Sequence, residues 1–172
     1  MKFFDLSVID KVRRNHGFEH ATIHILSKKY ANLSMVGRSD WNGFTLYGSV
    51  DTADVKQAAE EALNRLRRGE AQLAVHPRCG TVLATTGLLT GLAAFLAIAL
   101  DGSSPRSRFR WGAIPAAILG ATFAAVFAQP VGLFLQENYT VDGNPANLAI
   151  KQIRLESGPN LIVHRVETTQ SL

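Results

Sequence analysis

The chain has 172 residues, about the size of one compact domain, with a formal net charge of +4 and a single cysteine. One cysteine excludes an internal disulfide framework and fits a reducing compartment or a role as a metal ligand. The positive charge does not predict a nucleic-acid partner, because the basic residues lie mostly beside two long apolar segments, where anionic lipid headgroups attract each of them by about 1 kcal/mol.

The N-terminal region predicts two helical segments. Apolar residues between positions 3 and 12 recur at roughly helical spacing, which predicts an amphipathic segment that packs on the protein's own core or on lipid. A second helix is expected over residues 15–30, with Asn15 as its N-cap.

A β-hairpin and a third helix are predicted next. Residues 33–48 form two short apolar runs around an asparagine–glycine pair, which is typical of a hairpin turn. Asp51 or Thr52 is expected to cap a helix that runs to about Arg68, because its apolar residues recur along one face and a glycine follows its end.

Two segments without charged residues predict membrane spans. They cover residues 81–100 and 111–136. A hydrocarbon core of roughly 30 Å requires about 20 apolar residues in a helix, and a helix satisfies its own backbone hydrogen bonds. We therefore expect a transmembrane helical hairpin with spans at about 81–100 and 112–135.

The C-terminal segment predicts a closing β-hairpin. Residues 148–155 and 160–166 are rich in apolar and β-branched residues and flank a serine–glycine–proline turn. Both ends of the chain therefore contribute strands to the part outside the bilayer.

The predicted fold class is an α+β membrane protein. Its regions are an N-terminal membrane-adjacent segment (1–80), a transmembrane hairpin (81–136) and a C-terminal soluble segment (137–172). The two-helix hairpin carries a small soluble part of helices and short β-hairpins formed by the N- and C-terminal segments. We expect an integral protein of a bacterial-type inner (cytoplasmic) membrane with both termini and the soluble parts in the cytoplasm, because inserting the hairpin moves only about ten residues across the bilayer.

Residues 16–20 have the order H-x-x-E-H. On a helix, His16 and His20 project from one face with Glu19 beside them. Two imidazoles can bind zinc, and a neighbouring carboxylate that is not a ligand can take a proton from metal-bound water. The alternative is that these are ordinary polar residues at an exposed or capped helix end. His24 extends the same stripe by one turn and is more typical of a supporting or core histidine than of a ligand.

Residues 76–81, with the letters HPRCGT, lie where the soluble part meets the first span. His76 and Cys79 are three positions apart, and an imidazole and a thiolate at that spacing can share one tetrahedral ion. Alone, a cysteine such as Cys79 is more often a small buried residue than a ligand. The candidate ligands of zinc or another divalent metal are His16, His20, His76 and Cys79.

At these two segments the chain resembles the YqhQ family of predicted metal-dependent membrane proteins, whose pattern pairs H-G-x-E-H with H-P-R-C-G-T before a membrane helix. Residues 132–136 are similar to the family's G-L-x-L-Q segment. The family places a lysine and later a tyrosine–glutamate pair where this chain has Ala21 and Leu26-Ser27, so a possible acidic ligand is lost. The resemblance implies a membrane location, a metal and a smaller, divergent relative, one of the domains of unknown function, but no reaction.

Three functions follow from these patterns. The favoured one is a structural, accessory or assembly component of a membrane complex. The first alternative is a membrane-anchored zinc-dependent hydrolase, resembling a metallopeptidase, with Glu19 as general base. Transport is weaker, because neither span contains an ionisable residue. The expected partners are the lipid bilayer and either membrane proteins or further copies of the chain, bound through small-residue helix faces that include Gly87 and Gly91; no nucleic acid is expected.

Overall fold

The structure is a computed structural model that describes residues 6–100, 111–156 and 162–170. Within these ranges the architecture is α+β, as the sequence predicts. The α-helices are α1 (Leu6–Lys29), α2 (Thr52–Arg67), α3 (Gly80–Leu100) and α4 (Ile114–Leu135). The strands are β1 (Val36–Asp40), β2 (Gly43–Tyr47), β3 (Ala149–Leu155) and β4 (Val163–Thr169). Short turns of other helical types cover Ala71–Ala74, Trp111–Ala113 and Gln136–Thr140.

The chain divides into two compact units. The first, called the sheet unit here, comprises Met1–His76 and Glu137–Leu172 and contains α1, α2 and all four strands. The second, called the hairpin unit, comprises Pro77–Gln136 and contains α3 and α4. The sheet unit is therefore assembled from both ends of the chain, and the chain passes from it into the hairpin unit and back again.

The sheet joins the two predicted hairpins in the order β1-β2-β4-β3, with every neighbouring pair antiparallel. The first hairpin forms as predicted, but its turn residues are Trp41 and Asn42, one position before the predicted asparagine–glycine pair. Gly43 begins β2 with a φ of 140°. In the second hairpin, β3 and β4 lie close to their predicted positions, while the predicted turn at 157–159 falls outside the described residues.

The helix α2 forms where its local sequence signals place it. The Asp51 side chain accepts a hydrogen bond from the backbone N–H of Ala53 at 2.7 Å, which satisfies one of the unpaired donors of the first turn. Gly69 follows the helix with a φ of 89°. The apolar stripe is buried against the rest of the unit and consists of Val55, Ala58, Ala59, Ala62, Leu63 and Leu66.

The helix α1 is continuous, so the prediction of a separate helix capped by Asn15 is wrong. Asn15 is fully buried in the middle of α1. Its amide donates to the backbone oxygen of Asp40 at 2.7 Å, and its Oδ1 accepts from Thr168 at 2.8 Å and Gln170 at 3.0 Å. The asparagine therefore ties α1 to the sheet instead of starting a helix, and residues 3–5 of the predicted amphipathic segment lie outside the described range.

The core of the sheet unit lies between α1, α2 and the sheet. Phe18 of α1 packs edge-on against Phe44 of β2, with ring centroids 5.2 Å apart, and both side chains are fully buried. Alternate residues of β4 face the same core, including Val166. These contacts pack α1, which carries the histidine motif, against the sheet.

In the hairpin unit, α3 and α4 pack side by side. Gly132 lies so close to α3 that an added Cβ would be 2.9 Å from the Cα of Val82. Ala117 and Ala128 are also buried on α4. Small residues let two helix backbones approach closely, which is how apolar helices associate in a bilayer.

Both helices of the hairpin unit are long and apolar enough to cross a membrane. The two stretches are Gly80–Leu100 and Ile114–Thr140. Large apolar side chains such as Leu88, Phe95 and Phe123 are more than half exposed. A soluble monomer rarely exposes so much contiguous apolar surface, so the composition supports association with a membrane.

Candidate functional site

The two histidines of the H-x-x-E-H motif lie on one face in the middle of α1. Their ring centroids are 4.4 Å apart. His20 is only 5% exposed and His16 is partly buried. Neither residue is at a helix end, so the alternative of exposed polar residues near a cap is wrong.

Each of these rings is held by a backbone carbonyl. The Nδ1 of His16 lies 2.9 Å from the oxygen of Thr140, and the Nδ1 of His20 lies 2.6 Å from the oxygen of Ala74. A carbonyl oxygen only accepts, so Nδ1 carries the hydrogen in both rings and the lone pair of the neutral imidazole is on Nε2. Metal-binding histidines characteristically donate their other ring N–H in this way, which fixes the tautomer and the ring orientation.

Gly17 allows the backbone to come close to this face of α1. A Cβ added there would lie 2.4 Å from the oxygen of Asp142 and 3.2 Å from the Cβ of Ala74. The N–H of Asp142 donates to the oxygen of Arg13 at 3.0 Å, which holds the segment against the helix. The glycine therefore makes room for the two segments whose carbonyls hold His16 and His20.

His76, the last residue of the sheet unit, lies beside His20. The two ring centroids are 6.0 Å apart and the rings are tilted by 55°. His76 is partly buried. The structure therefore brings this predicted ligand next to the histidine pair.

Cys79 belongs to the hairpin unit, three residues beyond His76. Three trans peptide units limit the distance between the two Cα atoms to about 11 Å, whatever the conformation of the chain. Its Sγ accepts the backbone N–H of Thr81 at 3.4 Å. His16 and His20 of the sheet unit are side chains that could hold a metal ion. Cys79 stays a predicted ligand.

The carboxylate of Glu19 lies against strand β1. It is 4% exposed and accepts a hydrogen bond from the Ser39 hydroxyl at 2.6 Å. Gly37 leaves room for it, because a Cβ there would lie 2.0 Å from Oε1 of Glu19. The sequence does not predict this contact, although the glycine in a short strand is a sign of close approach by another group. The role of Glu19 as general base stays a prediction.

The remaining described histidines have other environments. Burial, assisted by the charges of Lys28 and Arg65, lowers the pKa of His24, one turn beyond the motif. His164 on β4 is fully buried, its Nε2 is 3.0 Å from the Thr52 hydroxyl, and burial lowers its pKa as well. Both rings are therefore neutral near neutral pH, and His164 serves the packing of the sheet.

Comparison with known proteins places the chain in a family. The family model described as "Domain of unknown function (DUF6391)" matches residues 11–153, a range that contains both motifs. An uncharacterised protein of Picosynechococcus sp. is 36% identical over 155 residues, which cover 83% of this chain and 71% of that protein. No solved structure matches the chain significantly. The chain belongs to the family described as Domain of unknown function (DUF6391).

Proposed function

We propose that this is an integral membrane protein with a divalent metal site, and that it acts as a structural, accessory or assembly component of a membrane complex. The observation that carries the proposal is the pair of hydrogen bonds from Nδ1 of His16 and His20 to backbone carbonyls. Both bonds fix the ring orientation and the tautomer in which Nε2 can bind a metal. The resemblance to the YqhQ family, which remains a prediction, also supports a metal and a membrane location.

The donor set suits zinc. Imidazole nitrogen and thiolate sulfur are the donors that tetrahedral zinc sites use most, and four protein ligands make a closed, structural site. His16 and His20 would supply two ligands from α1, and His76 and Cys79 would supply the others from the chain that leads into α3. A closed site of this kind has no open position for a reacting water, which supports a structural role.

The alternative is a zinc-dependent hydrolase with Glu19 as general base. A buried carboxylate next to two histidines in sequence favours this alternative. A general base must reach its proton within about 2.6–3.2 Å, directly or through one water. The hydrogen bond from Ser39 holds the Glu19 carboxylate at β1, so we rank the non-enzymatic role first.

We further propose that the sheet unit and both termini are cytoplasmic and that the hairpin binds lipid and a membrane partner or a second copy. Gly87 and Gly91 of α3 support a helix partner, because a Cβ added at either position would meet nothing within 4 Å. Glycines four residues apart provide a flat surface for another helix.

Metal content tests the proposed site. We expect the full-length protein, purified in detergent without chelators, to contain about one zinc per chain by elemental mass spectrometry. His20→Ala and Cys79→Ala should lose most of it, because each removes a ligand of the same ion. His24→Ala is the matched control, since it removes a partly buried histidine one turn further along α1 and should keep its metal. Metal-free wild-type protein would refute the site.

A further inference from the structure

The two carbonyls that hold the histidines lie in the two segments through which the chain enters and leaves the hairpin unit. Ala74 is two residues before His76, where the sheet unit ends, and Thr140 is three residues after Glu137, where it resumes. We define residues 71–76 and 137–143 as the crossing segments. Each crossing segment therefore orients one of the two histidines.

The crossing segments are docked on α1 and on each other. The Arg13 guanidinium donates to the backbone oxygens of Asn138 at 3.1 Å and Val141 at 3.3 Å. A Cβ added at Gly143 would lie 2.7 Å from the Cβ of Ala71, so the two segments are in contact. They form one layer over the histidine face of α1, and a displacement of either segment would disturb the other.

We propose that metal binding at His16 and His20 is coupled to the docking of both crossing segments, so that the metal fixes the chain where it enters and leaves the hairpin. This inference rests on the proposed metal site. If a crossing segment undocks, the Nδ1–H of its histidine loses its carbonyl and the ring is no longer held in one tautomer. Loss of such a supporting hydrogen bond typically lowers metal affinity by about 10- to 100-fold.

The coupling is reciprocal. A metal that binds more tightly when the segments are docked must stabilise docking by the same factor. Binding of a metal ion to α1 would therefore order the connections to the hairpin, and a change in the hairpin that pulls on a connection would weaken metal binding. Metal binding would in this way keep both crossing segments docked on α1.

Hydrogen exchange of the full-length protein in detergent tests this coupling. Zinc should slow amide exchange in both crossing segments of the wild-type protein by about tenfold or more. Amides of a segment exchange when it undocks, and the undocked protein binds zinc more weakly, so bound zinc makes undocking rarer. Gly17→Ala should lower zinc affinity by about 10- to 100-fold and remove the protection, since its Cβ meets the backbone of Asp142 while all four candidate ligands remain. Gly112→Ala is the control, because its added Cβ meets nothing within 4 Å.

The outcomes separate the coupling from the metal site. If wild-type protein binds zinc but protection is confined to α1, the coupling is refuted and the metal site stands. The same conclusion follows if Gly17→Ala folds and binds zinc with wild-type affinity. If wild-type protein binds no zinc, both proposals fail.

Discussion

Zinc is expected to raise the free energy of unfolding of the wild-type protein by about 2.7 kcal/mol when free zinc is one hundred times the dissociation constant. The physical reason is mass action, because the ligand geometry exists only in the folded chain. His20→Ala should remove nearly all of this stabilisation, since it deletes a buried candidate ligand whose Nδ1 is already held by the backbone oxygen of Ala74. Urea denaturation of the detergent-solubilised protein, followed by circular dichroism with and without zinc, measures both quantities.

His24→Ala again provides the control for removing an imidazole from α1. In the absence of zinc, His24→Ala should lower the free energy of unfolding by the amount that the packing of His24 contributes. The increase in the free energy of unfolding that zinc produces should be the same as in the wild type. Equal stabilisation of wild type and His20→Ala would mean that zinc binds elsewhere in the protein.

Gly43→Ala is expected to destabilise the sheet unit by about 3 kcal/mol. Gly43 has a φ of 140°, which L-residues rarely adopt, and an added Cβ would lie 2.0 Å from the backbone oxygen of Val166. The first effect strains the turn and the second pushes β2 away from β4. Denaturant unfolding of the variant against wild type measures the loss.

Gly69→Ala separates the two effects. Gly69 also has a positive φ, 89°, but a Cβ there meets nothing within 4 Å. Its replacement should destabilise the protein by only about 1 kcal/mol, from backbone strain alone. Equal losses in the two variants would show that the contact with Val166 carries no penalty.

The helices and strands that are specified by residues close together in the sequence were predicted from the sequence. The helix α2 has a capping aspartate, one apolar stripe and a terminal glycine, all within twenty residues of one another. The first hairpin has an asparagine in its turn and a glycine directly after it, two residue types with an intrinsic preference for turns. Neither element needs distant parts of the chain to specify where it begins and ends.

The errors arose where distant residues decide the structure. Asparagine is a residue type typical of an N-cap. The amide of Asn15 instead donates to Asp40, and its oxygen accepts from Thr168 and Gln170, which lie far along the chain. The pairing of β2 with β4, which merges two hairpins into one sheet, is likewise long-range. A single sequence does not encode such pairings in any local pattern.

The candidate site shows the same division. Spacing predicts that His16 and His20 share a helix face, and the structure confirms it. The groups that hold them could not be predicted, because the oxygens of Ala74 and Thr140 are backbone atoms that any residue supplies. Gly17 did carry a signal, since a glycine inside a helix is unfavourable by about 1 kcal/mol relative to alanine and often marks close packing.

X-ray absorption of the zinc-loaded full-length protein tests the metal site most directly. We expect imidazole nitrogens at about 2.0–2.1 Å from the zinc and one sulfur at about 2.3 Å from it. Because the chain has one cysteine, that sulfur would identify Cys79 as a ligand of the ion, and the imidazole nitrogens would agree with the proposed histidine ligands. A shell of oxygen atoms alone, without the outer scattering of imidazole rings, would contradict the proposed site.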